Sequence, residues 1–251
     1  PQVELYASIG STSDRAKKLA ENGVASGALV LADEQSAGRG LRARRWYSPR
    51  GSGLYLSLVL RPTGVANPLL VPLLAGLGIA QAVERLIGLP RVALKWPNDV
   101  ILDDRKVGGV LSEASWTGQS LEYFVLGIGL NVHQSREDYP KGLRDVAISL
   151  DQAAGRRVSR LQLADFVLEE VLERCLAAPE NLDSASLRQF DERDWLRDRR
   201  CSIDSAEAAP LQGTAVGIAP DGALLFRPDR GALARITSGR VRVPELPMPD
   251  Y

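Results

Sequence analysis

Residues 95–113 read KWPNDVILDDRKVGGVLSE, and this stretch decides how the chain folds. Lys95 ends a short strand that begins at Arg91, and Pro97 stops it, because proline has no N–H to give a central strand. Val100–Asp103 and Lys106–Ser115 read as strands joined by a turn at Asp103-Asp104, and Leu121–Val132 follows, which predicts a meander. Upstream, Val3–Ser8 alternates as a strand. Ser11-Thr12-Ser13-Asp14 offers N-caps for a helix over Arg15–Asn22, with Gly23 just past its end. Gly27–Ala32 and Leu54–Leu60 read as strands, and Pro68–Ile87 is apolar at helical spacing and closed by Gly88. Downstream, Ser149–Asp151 opens a helix-rich stretch, with an amphipathic helix over Arg160–Ala177 and another helix over Leu187–Asp194. From about Leu196 the pattern turns to short strands between Gly and Pro turns: Ala208–Ile218, Gly222–Pro228 and Ala232–Val243. The expectation is an α+β domain over 1–195 joined to a small barrel over 196–251.

The chemistry concentrates in residues 38–50, GRGLRARRWYSPR. Arg39, Arg42, Arg44, Arg45 and Arg50 surround two glycines that let the backbone approach a ligand closely. Arginine forks bind phosphate or carboxylate through paired hydrogen bonds, so the segment suits closure over an anion; a solvated basic loop is the plainer alternative. Residues 38–43 also fit a loose GxGxxA dinucleotide pattern. That fingerprint must open an apolar helix, and Arg44-Arg45-Trp46-Tyr47-Ser48-Pro49 cannot form one. No GxxxxGK[ST] phosphate loop is present.

Bulk properties narrow the classes. Lysine plus arginine (31) balances aspartate plus glutamate (31) over 251 residues, so no overall charge draws the chain to nucleic acid or a membrane surface. No run approaches the roughly 18 apolar residues of a membrane span, and no signal-peptide pattern opens the chain. Two distant cysteines, Cys175 and Cys201, indicate neither a disulfide framework nor a zinc site and point to a reducing cytosol. The one histidine, His133, leaves histidine-based metal sites without ligands and would have to carry any Ser-His-Asp chemistry alone.

Taken together, GRGxRxRxWxSPxGxGLYxSxxLRP over 38–62, KWPND with KVGGVLSE, and GIGLNV over 127–132 resemble the catalytic domain of biotin protein ligases, from about Leu5 to Val243. The resemblance implies a class II synthetase-like mixed sheet with helices on one face, followed by an SH3-like barrel. It implies two-step chemistry: biotin's carboxylate attacks the α-phosphate of ATP to give biotinyl-AMP, and a lysine of a biotin carboxyl carrier domain, that of acetyl-CoA carboxylase, then takes the acyl group. ATP with Mg²⁺ and biotin are the expected co-substrates, with no metal held by the protein alone, in a cytoplasmic monomer or homodimer. Arg39, Lys106 and Asp99 are expected to carry the chemistry, Asp99 by orienting or deprotonating the incoming lysine. Ser11, Thr12, Ser13, Gln35, Arg39, Gly40, Leu41, Lys106, Gly109 and Leu111 are expected at biotin. Arg42, Arg44, Trp46, Asn98 and Asn131 are expected at the nucleotide, Asn131 with its metal. Ser11 and Thr12 also suit helix capping, and Asp99 also suits a turn.

The sequence departs from the family pattern in its loop, which usually reads GRGRxGRxW. Leu41 stands in place of a second arginine that helps relatives retain the adenylate, and Ala43 in place of a glycine. Ser13 stands where many relatives have asparagine. The chain begins directly before its first strand, so sequence-specific DNA binding is not expected. A lipoate ligase of the same architecture, a binding-only sensor and a degenerate ligase are the competing readings.

Overall fold

The computed structural model describes residues 2–62, 67–88, 92–176, 179–204 and 209–244. The expected strand start at Arg91, helix end at Ala177 and strand start at Ala208 lie outside the described residues. Seven strands form the main sheet: β1 (Val3–Tyr6), β2 (Ala28–Ala32), β3 (Gly53–Leu60), β4 (Ala93–Lys95), β5 (Asp99–Leu102), β6 (Arg105–Thr117) and β7 (Ser120–Asn131). Their order is β1-β2-β3-β7-β6-β5-β4. Only β1 and β2 pair in parallel, with helix α1 (Thr12–Glu21) as the crossover between them. The meander expected from residues 95–113 is present. Leu102 pairs with Arg105 across Asp103-Asp104, and both aspartates take positive φ (47° and 57°), the geometry that lets a two-residue turn follow the twist of its strands.

Side chains alternate across the sheet, and each face has its own helices. Leu54, Leu56, Leu58, Leu60, Phe124, Leu126, Ile128 and Leu130 form the main core with α2 (Leu70–Ile87) and α4 (Arg160–Leu176). α2 has the length and composition of a membrane span, but 78% of it is buried inside the protein, as befits a core helix apolar all round. It crosses α4 tightly at Gly78, where a Cβ would sit 3.1 Å from the backbone of Glu170 and Val171. The opposite face carries Ala28, Val30, Val59, Tyr123 and Val125, covered by Ala16, Leu19 and Ala20 of α1. The expectation of helices on one face is thus corrected. α1 forms a second, smaller layer, because β2, β3 and β7 are apolar on both sides there.

Two short helices, α3 (Leu150–Ala154) and α5 (Ser184–Asp191), precede a second sheet. It comprises β8 (Arg200–Asp204), β9 (Leu211–Ile218), β10 (Leu224–Pro228), β11 (Ala234–Ile236) and β12 (Arg240–Arg242), ordered β11-β10-β9-β8-β12 and antiparallel throughout. This sheet is consistent with the small SH3-like barrel expected; among the described residues it is not closed, with β11 and β12 at its two edges. The single strand expected over 232–243 is divided at Gly239 (φ 152°), so that β12 leaves its neighbour and pairs with β8. One indole joins the sheets and a second ties the chain before β8 to the turn between β5 and β6. Trp96 Nε1 donates to the Gly222 carbonyl at 3.0 Å, and Trp195 Nε1 donates to Asp104 Oδ1 at 2.8 Å.

Candidate active site

The row of β7 that supports α1 begins with Tyr123 and Val125 and continues as Gly127 and Gly129. A Cβ at Gly127 would lie 2.5 Å from Ser13 Oγ, and one at Gly129 would lie 2.5 Å from Trp46 Nε1. Glycine here strips the sheet of side chains and lets the first turn of α1 and the Trp46 indole settle directly on it. Above this floor lies a cavity of about 300 Å³, walled by α1, the arginine loop, β4 to β6, and residues 239–244 of the second sheet.

One end of the cavity is neutral and polar. Thr12 donates from its backbone N–H and its hydroxyl to Gln35 Oε1 (2.9 and 3.1 Å). Ser57 Oγ donates to Thr12 Oγ1 at 2.8 Å, and Ser13 Oγ lies 3.1 Å from Ser57 Oγ. Because the Ser57 proton goes to Thr12, Ser13 is the donor to Ser57, which leaves Ser13 lone pairs for a ligand N–H. On the other side, Gln35 Nε2 donates to Ser48 Oγ at 3.0 Å, and Ser48 donates to the Trp46 carbonyl. The geometry of this end is therefore fixed before any ligand arrives.

The other end is cationic. The lining there holds Arg42, Arg44, Lys95, Lys106, Arg240 and Arg242, with Asp99 as the carboxylate among the lining residues and Asp204 paired with Arg242 at 2.6 Å. Lys106 Nζ lies 2.6 Å from Asp99 Oδ1, with side chains only 7% and 17% exposed, and 5.4 Å from the centre of the Trp46 ring. Its backbone is clamped from both sides: the Lys106 N–H donates to Val146 O, and Ile148 N donates to Lys106 O. Lys95 is buried 5.7 Å from the Trp195 ring. Loss of water pushes its pKa below the usual lysine range, and the neighbouring Lys106, Arg240 and Arg44 cations push the same way, against Asp99. Arg240 is lowered for the same reasons, by burial and then by Arg44, Arg242 and Arg42. Cations crowded at such a site create a demand for a polyanion.

The arginine loop is a small hairpin. Gly40 N donates to Arg44 O (2.8 Å) and Trp46 N to Gly38 O (2.9 Å), and Arg39 bridges Arg45. Arg42 takes positive φ (59°) at its tip. Arg39 forks onto Glu113 at 2.6 and 2.9 Å and also reaches Asp14 at 2.7 Å; these carboxylates, Glu113 first by its hydrogen bonds, raise its pKa.

Most of the residues expected from sequence meet here. Thr12, Ser13, Gln35, Arg39, Gly40, Leu41, Arg42, Arg44, Trp46, Asn98, Asp99, Lys106, Gly109 and Leu111 all line the cavity. Two stand outside the lining. Ser11 is buried and accepts from Asp14 N as the cap of α1. Asn131 is buried, and its amide donates to the carbonyls of Lys106 and Ile148 (3.4 and 3.3 Å), which holds the Lys106 segment. Asn98 faces the cavity while its amide donates to Val110 O at 2.7 Å. Sequence reading missed Lys95, Ser57, Glu113, Gly127, Gly129, Arg240 and Arg242. The glycine pair within a strand and the lysine of KWPND were visible signals for three of them. Nothing in the sequence pointed to the two arginines of β12. Among the described residues no cluster of three or more His, Cys, Asp or Glu could cage a metal ion.

Residues 5–131 match the family model described as the biotin/lipoate A/B protein ligase family. The chain is 37% identical over 161 residues to the bifunctional ligase/repressor BirA of Bacillus subtilis, covering 64% of this chain and 49% of that protein. It is 42% identical over 130 residues to the biotin–[acetyl-CoA-carboxylase] ligase of Paracoccus denitrificans, covering 51% of this chain and 53% of that one. The chain thus spans about half the length of these curated relatives. Among solved structures, the biotin protein ligase from Aquifex aeolicus in complex with biotin and ATP superposes with a TM-score of 0.82 at 29% identity, covering 96% of this chain and 97% of that one. With a family model matching half of its length and its architecture shared from end to end, the chain belongs to the biotin/lipoate A/B protein ligase family.

Proposed function

We propose that the chain is a biotin protein ligase that converts biotin and ATP to biotinyl-5'-AMP and pyrophosphate, then transfers biotin to a lysine of a biotin carboxyl carrier domain in the cytoplasm. The observation that carries this reading is the division of one cavity into a neutral hydrogen-bonding end and a cationic end. Biotin is divided the same way, with an uncharged ureido ring at one end and a carboxylate at the other. Ser13 and Gln35 suit the ring. Lys106, fixed between the two ends, suits the point where carboxylate and α-phosphate meet. A carboxylate is already nucleophilic at neutral pH, so the first step needs positioning and charge cancellation rather than a base. The carboxylate oxygen attacks phosphorus, the bond to the β-phosphate breaks, and the cations around Lys95, Arg44 and Arg240 receive the departing pyrophosphate.

Asp99 enters at the second step. While it accepts from Lys106 it is occupied; once Lys106 turns to the adenylate phosphate, Asp99 can take the proton that the carrier lysine must lose before attacking the acyl carbon and expelling AMP. Mg²⁺ fits as a companion of the triphosphate, which it would neutralise. Among the described residues that line the cavity, Asp99 is the carboxylate that could add a ligand, in keeping with magnesium's habit of using few protein ligands. Residues 1–195 would supply most of this machinery and 196–251 the wall that holds Arg240.

Biotin-dependent exchange of labelled pyrophosphate into ATP tests the reading, with lipoate in parallel. Exchange with biotin alone is expected. Exchange with lipoate alone would reassign the substrate within the family. Absence of exchange with either acid would leave a binding protein or a degenerate ligase.

A further inference from the structure

Glu113 lies on β6 in the same row as the cavity residues Leu111 and Gly109, and Asp14 lies in the first turn of α1 beside Thr12 and Ser13. The two carboxylates therefore stand on opposite banks of the neutral end, one on the sheet and one on the helix. Arg39 spans the gap, with paired hydrogen bonds to Glu113 and a third to Asp14. The loop that carries Arg39 has few other side-chain holds. Trp46 is buried at its base, Arg45 donates to Ser36 O at 2.6 Å, and Leu41 and Arg42 at the tip are exposed. Because Arg39 pairs with Arg45 across the hairpin, fixing Arg39 fixes the whole loop.

We infer that Glu113 and Asp14 are positioning residues that bolt the loop over 38–46 across the neutral end of the cavity through Arg39. Arg39 is then a strap rather than a group aimed at the reacting atoms. In a loop with leucine at position 41, closure rests on a pair of carboxylates outside the loop. The consequence for ligand release rests on the ligase reading; the bolt itself does not.

The loop supplies its own reporter, since trypsin cuts after arginine and needs an extended stretch of chain around Arg42, Arg44 or Arg45, which the hairpin denies it until it opens. The full chain, without ligand, is digested briefly as wild type, Glu113→Gln and Asp14→Asn, and the cut sites are read by mass spectrometry. An exposed pair is worth up to about 1 kcal/mol, and a forked one stands at the upper end. Cleavage within the loop should therefore rise about fivefold in Glu113→Gln and about twofold in Asp14→Asn, with cutting elsewhere unchanged. If biotinyl-AMP forms, its release from Glu113→Gln should quicken by a similar factor. Loop cleavage unchanged in both variants, or raised no more than cleavage at distant arginines, would overturn the bolt and leave the pyrophosphate exchange result untouched. Unaltered adenylate release beside faster loop cleavage would overturn its link to retention.

Discussion

The two ends of the cavity hold their side chains by opposite means. At the neutral end the polar groups hold one another: Thr12, Gln35, Ser48 and Ser57 form one connected set of hydrogen bonds, and Ser13, tied to Ser57, keeps lone pairs for a ligand. At the cationic end burial is the main cost for Lys95 and Arg240, and neighbouring cations add to it against Asp99 and Asp204. The first arrangement stores its specificity in geometry and gains little stability from a ligand. The second is unfavourable alone and is relieved when a polyanion arrives. On the ligase reading, one substrate would be recognised by preorganisation and the other by the relief of crowded charge.

Lys106 stands between these regimes, and its removal should give the largest effect. Lys106→Met leaves Asp99 buried without its partner and takes the cation from the junction of carboxylate and α-phosphate; biotin-dependent pyrophosphate exchange should fall at least about a hundredfold, while biotin binding, read by calorimetry, weakens much less. Equal losses in both measurements would erase the boundary between the ends.

Lys95→Met probes the charge deficit itself. The affinity for ATP should drop about tenfold, as for loss of one charge-assisted hydrogen bond, while the free protein becomes more stable at pH 7. The sign follows from the lowered pKa of Lys95. In the unfolded chain the group binds a proton up to its ordinary 10.5, so its penalty on folding is full below the lowered native value and vanishes above 10.5. The melting advantage of the variant should accordingly shrink as pH rises through that window. A variant less stable than wild type at pH 7 would contradict this account.

Thr12→Val tests the preorganised end. It removes the acceptor for Ser57 and a donor to Gln35, so biotin affinity should fall about tenfold with ATP affinity unmoved; a matching loss for ATP would mean that the ends are not separate. The smallest change expected is from Leu41→Arg, which should lengthen the biotinyl-AMP half-life about threefold by adding a cation to the loop tip. An unchanged half-life would indicate that the loop already holds the adenylate by other means.

Local patterns in the sequence were legible because they have local causes. The Asp103-Asp104 turn, the Ser11 cap and the closing Gly88 each follow from backbone preferences within a few residues. Most of the cavity lining was legible for a different reason, since three spaced motifs carry it and the fold only had to bring them together. What stayed hidden depends on distance. Position 57 reads as one more residue of an apolar strand until α1 is laid across it, and Glu113 reads as a surface charge until Arg39 arrives from 74 residues away. Arg240 and Arg242 lie on a three-residue strand whose place is set by the break at Gly239, which no periodicity announces. The second helical layer was missed likewise, because apolar residues on both faces of a strand look the same as a longer apolar run.

The wall formed by β12 has a consequence for the order in which the enzyme comes into being. Thr12 and Val243 line one cavity, so the site joins residues more than two hundred positions apart and belongs to the contacts of highest sequence separation. Such contacts close late, after the local hairpins and helices have formed. During synthesis the neutral end can assemble once β7 has emerged, whereas the polyphosphate end waits for β12 to pair with β8. On the ligase reading, a chain still being made would form the pocket for a neutral ring before it had gathered the cations for a polyanion, and the site would be complete only once β12 had paired with β8.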